Sequence, residues 1–262
     1  MNITIGHVIK DLKADLELPD STVDRLLFGH EHTVVKGIVT AFTASQSIIE
    51  RASALGANFI ISHEGIYYKH REPSDWLRND AVVEVKAAAI EQADVGIFRL
   101  HDYIHRYQPD PIEVGLLRKL GWVASEMHAV GAIVDIPAMQ LIEVAEYLKS
   151  RLHIPYVRAA GEPTMLCERV GVLVGYRGGG SSAIPLLQQE NVDLIIAGEG
   201  PEWETPEYIK DALHQGRSKA LIMLGHAESE APGMEYLAER LAEKYPMLPV
   251  HFLADEPVFR VF

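Results

Sequence analysis

Short apolar runs alternate with amphipathic stretches along most of the chain. Gly37–Ala41 and Asn58–Ser62 are apolar enough to predict buried strands. Between them, Ser45–Ala54 has the apolar spacing of a helix, and Gly56 follows as a stop signal. Strands that alternate with helices point to a sheet protein of the α/β class. The pattern therefore predicts an α/β fold.

The same alternation continues towards the C-terminus. Further strands are predicted at Val95–Leu100, Val130–Asp135 and Ala220–Leu224, and further helices at Asp80–Ala93, Met139–Arg151 and Pro206–Gln215. Strands that alternate with helices in this way favour a three-layered α/β sheet protein.

The chain also contains an internal repeat. Residues 35–65 and 170–200 each give strand, helix, strand, and they align without a gap when one is shifted by 135 positions. Both stretches end on Glu-Gly, at Glu64-Gly65 and Glu199-Gly200. Apolar strands also match by composition alone, so two unrelated β-α-β units are the alternative. The shared Glu-Gly favours a duplication.

We expect two α/β halves, residues 1–112 and 167–262, with a connecting or inserted α/β segment at residues 113–166. A length of 262 residues suits one large domain or two, and 23% charged residues exclude a wholly disordered chain. The net charge of −13 argues against a nucleic-acid partner, because phosphate binding requires clustered Lys and Arg.

Cysteine usage and hydropathy limit the protein class further. The single cysteine, Cys167, excludes an internal disulfide and is predicted to be a buried thiol. The N-terminus lacks the pattern of a secretory signal, and no apolar run approaches the roughly 20 residues of a membrane span. We therefore expect a cytoplasmic protein with no membrane partner.

Histidines and carboxylates cluster where the predicted strands end. The residues concerned are His63 and Glu64, His101 and His105, Glu199, and His226 and Glu230. Ligand sites in open α/β sheets gather beyond the carboxyl ends of strands. A four-residue spacing at a helix start also places two side chains on one face. Imidazole with carboxylate suits Zn²⁺, Mn²⁺ or Fe²⁺, so the joint placement predicts a metal site.

Taken singly, each motif has a structural interpretation as well. A strand-end loop, a core histidine or a carboxylate that favours a helix start would each explain one of them. Glu228, between His226 and Glu230, is a candidate general base, with a solvated side chain as the alternative. His30-Glu31-His32 would place two histidines on one side of a strand, and a structural role is favoured there.

A glycine-rich turn is the candidate substrate site. Gly179, Gly180 and Ser181 open a predicted helix after a strand, where exposed N–H groups could hold a phosphate. The alternative is a tight turn with helix capping. Glu199 is a further candidate for substrate binding, and as the counterpart of Glu64 in the repeat it is expected to reach the predicted metal site.

These segments resemble the NIF-three-like proteins, also described as GTP cyclohydrolase one type two homologues or dinuclear-metal-centre hexameric proteins. The resemblance covers most of the chain and rests on IISHEG, LHDYIH, VGVLVGYRGGGSSAIPLLQQENVDLIIAGEG and LGHAESEAPGMEYLAERLAEKYP. The family pattern is His-His-Pro, then His-Thr-x-x-Asp, then Gly-His-x-x-x-Glu. By position, His63, His226 and Glu230 fit its metal ligands, and His101 fits the opening histidine of the second motif.

This chain departs from the family pattern at several positions. Glu64 replaces the second histidine, Gly65 the proline and His105 the metal-binding aspartate, while Thr43 stands where the family often has aspartate. A carboxylate and a histidine have in effect exchanged places, so the formal charge of the ligand set is unchanged. This is compatible with a dinuclear site, and a single-metal or degraded site is the alternative.

The resemblance implies an internally duplicated three-layer α/β fold with mixed sheets, and a metal site between the two halves. It also implies two divalent ions per subunit, of zinc, manganese or iron, and a toroidal homohexamer. The function it favours is metal-activated hydrolysis of a nucleotide or another phosphate-bearing substrate, with His101 and Glu228 as catalytic candidates. A non-catalytic metal-binding adaptor is the alternative.

Overall fold

The structure is a computed structural model that describes residues 2–13, 16, 21–71 and 75–262. It divides into two compact units. The first unit is Met1–Pro111 with Met234–Glu256, and the second is Ile112–Gly233 with Pro257–Phe262. The first unit is thus assembled from two separate stretches of the chain.

The described residues form eight α-helices and eleven β-strands. The helices are α1 (Ile5–Lys13), α2 (Gln46–Ala54), α3 (Ala81–Ala93), α4 (Pro111–Leu120), α5 (Leu141–Leu152), α6 (Gly180–Gln189), α7 (Thr205–His214) and α8 (His226–Lys244). The strands are β1 (Arg25–Phe28), β2 (Ile38–Ala41), β3 (Phe59–Ser62), β4 (Gly96–Arg99), β5 (Glu126–His128), β6 (Gly131–Gln140), β7 (Arg158–Ala160), β8 (Leu166–Leu173), β9 (Leu194–Ala197), β10 (Ala220–Met223) and β11 (Val250–Phe252).

The first unit contains a five-stranded mixed sheet with the order β1-β4-β3-β2-β11. Strands β11, β2, β3 and β4 run parallel, and β1 pairs antiparallel with β4 at one edge. Every residue of β2, β3 and β4 is buried, as expected for parallel strands covered on both faces. Ile49 of α2 packs with Ile60 and Ile97 in the core of this unit.

The second unit contains a six-stranded mixed sheet with the order β5-β6-β8-β9-β10-β7. Its three consecutive strands β8, β9 and β10 are parallel, and β7 pairs antiparallel with β10. Strand β6 pairs antiparallel with β8, and β5 with β6. Ala183 and Leu187 of α6 pack with Ile195 and Leu221 over this sheet. The expected α/β fold with mixed sheets is confirmed.

The two sheets share one four-strand arrangement. An antiparallel edge strand is followed by three parallel strands, as β1-β4-β3-β2 in one unit and β7-β10-β9-β8 in the other. The gapless alignment of the repeat is wrong in one detail. Ile38 pairs with Phe59, and its counterpart Val170 pairs with Leu194. The first strands are therefore 132 residues apart and the second strands 135. The segment before α6, which contains a 3₁₀ helix, is two residues longer than the segment before α2, and α6 is itself one residue longer than α2.

Most predicted elements are confirmed to within a few residues, and the caps explain where the helices begin. The Ser45 hydroxyl accepts the Ile48 N–H ahead of α2, and the Asp80 carboxylate accepts two N–H groups ahead of α3. The expected strand position of His30 and His32 is wrong, because both residues lie exposed in the turn between β1 and β2. None of the described helices has the length and apolar character that crossing a membrane requires.

Candidate metal centre

His63 directly follows β3 and is fully buried. Its Nδ1 lies 3.0 Å from the carbonyl oxygen of Leu100. A carbonyl oxygen only accepts hydrogen bonds, so Nδ1 carries a proton and donates it to Leu100. The backbone N–H groups of His63 and Glu64 donate to the carbonyl of Phe42, just beyond β2. The end of the neighbouring strand therefore fixes the position of His63.

A buried carboxylate shapes the turn that follows β4. The backbone N–H groups of His101, Asp102 and Tyr103 all donate to Asp24, each over 2.8 Å. Asp24 precedes β1, the strand that pairs with β4, and only 5% of it is exposed. These three bonds fix the backbone from which the His101 side chain projects.

The ring of His101 is oriented in the same manner as that of His63. Its Nδ1 lies 3.0 Å from Oδ1 of Asp102. The other oxygen of Asp102 accepts the Thr22 hydroxyl at 2.8 Å and the Val23 N–H at 3.0 Å. Because both carboxylate oxygens are used, Asp102 is fixed and in turn orients the imidazole of His101.

His105 lies one short turn further along the chain. It belongs to a 3₁₀ helix, Ile104–Arg106, so the expected α-helical stacking of His101 and His105 is wrong. The 3₁₀ turn nevertheless brings the two rings to a centroid distance of 5.2 Å. Nδ1 of His105 lies 2.7 Å from Oδ2 of the buried Asp110. A third histidine is therefore oriented through its Nδ1.

Together His63, His101 and His105 form a compact group, which we call the three-histidine cluster. One possible ligand atom from each lies within 4.8 Å of the others. The rings of His63 and His101 are stacked at 4.6 Å, and the His63 and His105 rings meet edge to face at 5.0 Å. Ligands of one Zn²⁺ ion at about 2.0–2.1 Å from the metal are separated by roughly 3–4 Å. The donor set therefore fits a divalent cation after small side-chain adjustments.

Glu64 contacts the cluster through one oxygen and a buried arginine through the other. Its Oε1 lies 3.4 Å from Nε2 of His101, and its Oε2 lies 2.7 Å from Nη2 of Arg99. Burial by itself would raise the pKa of Glu64. The hydrogen bond with His101 and the charges of His101, His63 and Arg99 outweigh burial and lower this pKa to about 2. Glu64 is thus an anion beside the cluster.

His101 responds to the same contact in the opposite sense. Burial lowers its pKa, but the hydrogen bond and charge of Glu64, with the hydrogen bond of Asp102, raise it overall. His70, after Glu64 in the same loop, also places a donor atom within 4.8 Å of those of Glu64 and His101. The edge of the cluster therefore offers a mixed imidazole and carboxylate set.

The second unit holds a separate pair of candidate ligands on the first turns of α8. Nε2 of His226 lies 3.1 Å from Oε2 of Glu230, four residues later on this helix. Nδ1 of His226 lies 2.9 Å from Oε1 of Glu199, which follows β9. Glu199 therefore orients His226, and its role in substrate binding stays a prediction.

Close packing places Glu230 beside a glycine. Gly175 has a φ of +59°, and a Cβ there would collide with Oε1 of Glu230 and lie 3.2 Å from Nε2 of His226. Only glycine tolerates both the backbone conformation and this contact. Ser229 accepts the N–H of Gly175 at 2.9 Å, which holds the turn against α8.

The other predicted site residues of this unit have different surroundings. The N–H of Gly180 donates to the carboxylate of Glu204 over 2.6 Å. An internal carboxylate therefore occupies this part of the proposed phosphate cradle of Gly179, Gly180 and Ser181. Glu228 lies in the first turn of α8 with its carboxylate folded against Gly225. Its role as a base stays a prediction.

The structure thus brings together two sets of predicted residues, each within one unit. The first set is His63, Glu64, His101 and His105, and the second is His226, Glu230 and Glu199. Sequence reasoning missed the acceptors that orient these rings. Asp102 and Asp110 were detectable as acids close to histidines, but Asp24 acts across 77 positions and no local pattern indicates it.

Comparisons with known proteins agree with this fold. A family model described as Duf34/NIF3 (NGG1p interacting factor 3) matches residues 25–257. A protein of Escherichia coli (strain K12) named GTP cyclohydrolase 1 type 2 homolog is 25% identical over 92% of this chain and 93% of its own. A protein of the same name from Vibrio cholerae is 27% identical over 86% of each chain.

Solved structures give the same result for the fold. A Bacillus cereus protein related to NIF3 superposes with a TM-score of 0.77 at 15% identity, over 100% of this chain and 99% of that one. A Staphylococcus aureus hypothetical protein gives 0.77 at 17% identity over 100% of both chains. Because the family model covers most of the sequence, the chain belongs to the Duf34/NIF3 family.

Proposed function

We propose that this protein is a metal-dependent hydrolase whose three-histidine cluster holds a divalent cation. One observation supports this most directly. All three rings are held at Nδ1, by the Leu100 carbonyl, Asp102 and Asp110 respectively. Metal-binding histidines are characteristically oriented in this way by a carbonyl or carboxylate. The arrangement directs Nε2, the opposite ring nitrogen, to the ion.

The chemistry follows from the donor set. A divalent cation supplies Lewis acidity, which makes water nucleophilic near neutral pH and polarises the bond under attack. The residues of this chain would position the reactants: Asp24 and Asp102 keep His101 in place, and Glu64 supplies a carboxylate at the edge of the cluster. The name of the related proteins makes GTP the first substrate to test.

We also propose that His226 and Glu230 take part in cation binding. Their atoms lie 3.1 Å apart, and Glu199 orients the ring of His226 as the acceptors of the first unit orient theirs. Two ions per chain, of zinc, manganese or iron, is the stoichiometry that we propose.

Elemental analysis of gently purified protein tests cation binding. We expect bound metal in the wild type, and less in both His105→Ala and Glu230→Ala. His30→Ala is a matched control, because His30 is an exposed histidine in a turn. His128→Ala is a second control, because Glu126, His128 and Glu190 form another group that could hold a metal ion. Metal that is lost in this variant would be metal bound at that group and not at the three-histidine cluster. A wild type without metal would contradict the proposal.

Turnover is tested separately, with GTP, other nucleotides and phosphate esters in the presence of Mn²⁺, Zn²⁺ or Fe²⁺. We expect activity that requires metal and is lost in His101→Asn and His226→Ala. His101 is chosen because it is partly exposed, whereas His63 is fully buried and its substitution tests folding as well. Loss of activity with unchanged metal content in Glu228→Gln would support a role for Glu228 as base.

A non-catalytic metal-binding adaptor is the second candidate function. The observation in its favour is the pairing of Gly180 with Glu204, which occupies part of the expected phosphate cradle. Bound metal without turnover of any substrate would favour this role. For either function we propose a homohexamer, which light scattering coupled to size exclusion would measure.

A further inference from the structure

Two aromatic side chains of the second unit are exposed to solvent. Tyr176 belongs to the 3₁₀ turn after β8 and is 62% exposed, and Trp203 belongs to the turn after β9 and is 76% exposed. Neither ring contacts another aromatic ring or a cation in the part of the chain that the structure describes. Tryptophan is highly buried on average in proteins, so a pair of exposed rings indicates a surface that binds something.

Both rings lie where an α/β sheet binds its ligands. Strands β8 and β9 are parallel neighbours, and the two rings belong to the loops beyond their carboxyl ends. Ligand sites of open α/β sheets are built from such loops. Tyr176 and Trp203 are therefore at the expected ligand end of the second sheet.

The two loops pack against each other through their backbones. The N–H of Gly178 donates to the carbonyl of Glu199 over 3.0 Å, and the N–H of Glu199 donates to the carbonyl of Gly175 over 2.8 Å. The Thr205 hydroxyl also donates to the carbonyl of Gly178, over 2.7 Å. A Cβ on Gly200 would lie 2.6 Å from the backbone of Gly178, so the loops approach too closely for a side chain there. The backbone that carries both rings is therefore preorganised, which lowers the entropy cost of binding.

The same loops contact the second pair of candidate ligands. Gly175, the residue before Tyr176, is so close to α8 that its Cβ would lie 3.2 Å from Nε2 of His226. Glu199, four residues before Trp203, lies 2.9 Å from Nδ1 of His226. A ligand held by these loops would therefore lie beside the proposed cation ligands.

A planar nucleobase suits this surface. Aromatic rings bind bases by stacking on their π-faces. The side chain of Glu199 is 44% exposed and gives one oxygen to His226, so its second oxygen can accept an N–H from a ligand. Adenine and guanine carry amino groups that donate in this way. The carboxylates of Glu199, Glu204 and Glu230 disfavour a bare anion at this end of the sheet, so the base and not the phosphate is the group that fits.

We infer that Tyr176 and Trp203 stack against the purine base of the substrate, and that Glu199 accepts one of its amino N–H groups. This inference rests on the proposed hydrolase function, and it specifies which part of the substrate the second unit recognises. Glu199 then orients His226 with one oxygen and contacts the substrate with the other.

Calorimetric titration of the full-length protein with guanosine tests this inference. Guanosine has no phosphate, and a chelator is added first, so binding through a cation does not contribute. We expect guanosine to bind the wild type, and each of Tyr176→Ala and Trp203→Ala to weaken binding by about tenfold, as for loss of one base-stacking contact. Trp203→Phe keeps a ring and should lose less affinity than Trp203→Ala. Inosine, which lacks the amino group, should bind more weakly than guanosine, and equal affinity would contradict the role of Glu199.

Trp76→Ala is the matched control, because Trp76 is a tryptophan of similar exposure, 67%, in the first unit. It should leave the affinity for guanosine unchanged. The inference is overturned if the wild type does not bind guanosine, if the Tyr176→Ala Trp203→Ala double variant retains full affinity, or if ribose binds as well as guanosine. A lower mass of the double variant in light scattering would show that the rings pack on a second copy, which would also overturn it. Metal content, measured on the same samples, reports on the proposed function independently.

Discussion

At the scale of single residues, the candidate centre depends as much on its hydrogen-bond acceptors as on its histidines. His63, His101 and His105 follow strand ends, where a ligand site is expected, and the sequence predicted them. What fixes their rings is a set of acceptors that includes a main-chain carbonyl, which carries no sequence signal. The positions of these candidate ligands were therefore predictable and the orientation of their rings was not.

Asp24 makes this dependence testable. Its carboxylate accepts three N–H groups, and an asparagine at this position would present an amide donor to at least one of them. We expect Asp24→Asn to lower the free energy of unfolding by roughly 1–3 kcal/mol, because a buried donor loses its acceptor. Urea unfolding measures this loss, and elemental analysis should show less bound metal.

Asp75→Asn provides the comparison for Asp24→Asn. Asp75 is exposed, and its ion pair with Arg78 is a surface contact of little expected energy. Equal stability loss in the two variants would show that the Asp24 bonds contribute nothing specific.

At the scale of elements, the repeat predicted the strands and helices but not the longer turn that precedes α6. Buried strands and capped helices are local features, and they follow from apolar spacing and from Ser45 or Asp80 at a helix start. The segment that contains the turn Gly175–Gly178 is two residues longer than its counterpart before α2, and α6 is one residue longer than α2, which is visible only in the strand register. A gapless sequence match concealed it because both strands are apolar.

The same turn gives a sharp prediction for Gly175. We expect Gly175→Ala to destabilise the protein and to displace Glu230, because its Cβ would collide with the Glu230 carboxylate. Gly216→Ala is a matched control, since Gly216 also has a positive φ, of +74°, but has nothing within 4 Å of an added Cβ. Both variants carry a similar backbone strain of roughly 1–2 kcal/mol, so the difference in their unfolding free energies isolates the collision. A difference near zero would contradict the contact.

Strand β8 carries the one cysteine in a setting that makes it inert. Burial and the charge of Asp193 raise the pKa of Cys167 to about 11. The thiolate is the reactive form, so at pH 8 only about one molecule in a thousand is reactive. We expect a thiol reagent such as Ellman's reagent to modify Cys167 only after denaturation. Rapid modification of the native protein would show that this strand opens readily.

At the scale of the whole molecule, residues 234–256, which come late in the sequence, complete the first unit. Strand β11 pairs with β2 at the sheet edge, and the carbonyl of Met234 accepts the hydroxyl of Thr40. Asp11 of α1 pairs with Lys244 and accepts the hydroxyl of Tyr245. Sequence reasoning divided the chain by its repeat and had no means of detecting these long-range pairings.

Asp11 yields a pH dependence of stability. The hydrogen bonds from Lys244 and Tyr245 lower the pKa of Asp11 below its usual value of 3.8, more than its slight burial raises it. Its contribution to stability is therefore present above pH 3.8 and is lost as the pH falls through the lowered pKa. We expect Asp11→Asn to reduce the melting temperature at pH 7 and to have little effect at pH 2. An equal reduction at both pH values would refute this contribution.

The order in which the ribosome releases the chain gives the discontinuous first unit a particular consequence. Domains generally fold during synthesis as soon as their residues are available. The sheet of the first unit cannot be completed early, because its strand β2 lacks a neighbour on one side until Val250–Phe252 has been synthesised. The second unit, made mostly from Ile112–Gly233, is available earlier. The sheet whose first strands are translated earliest is therefore the sheet whose last strand is translated latest.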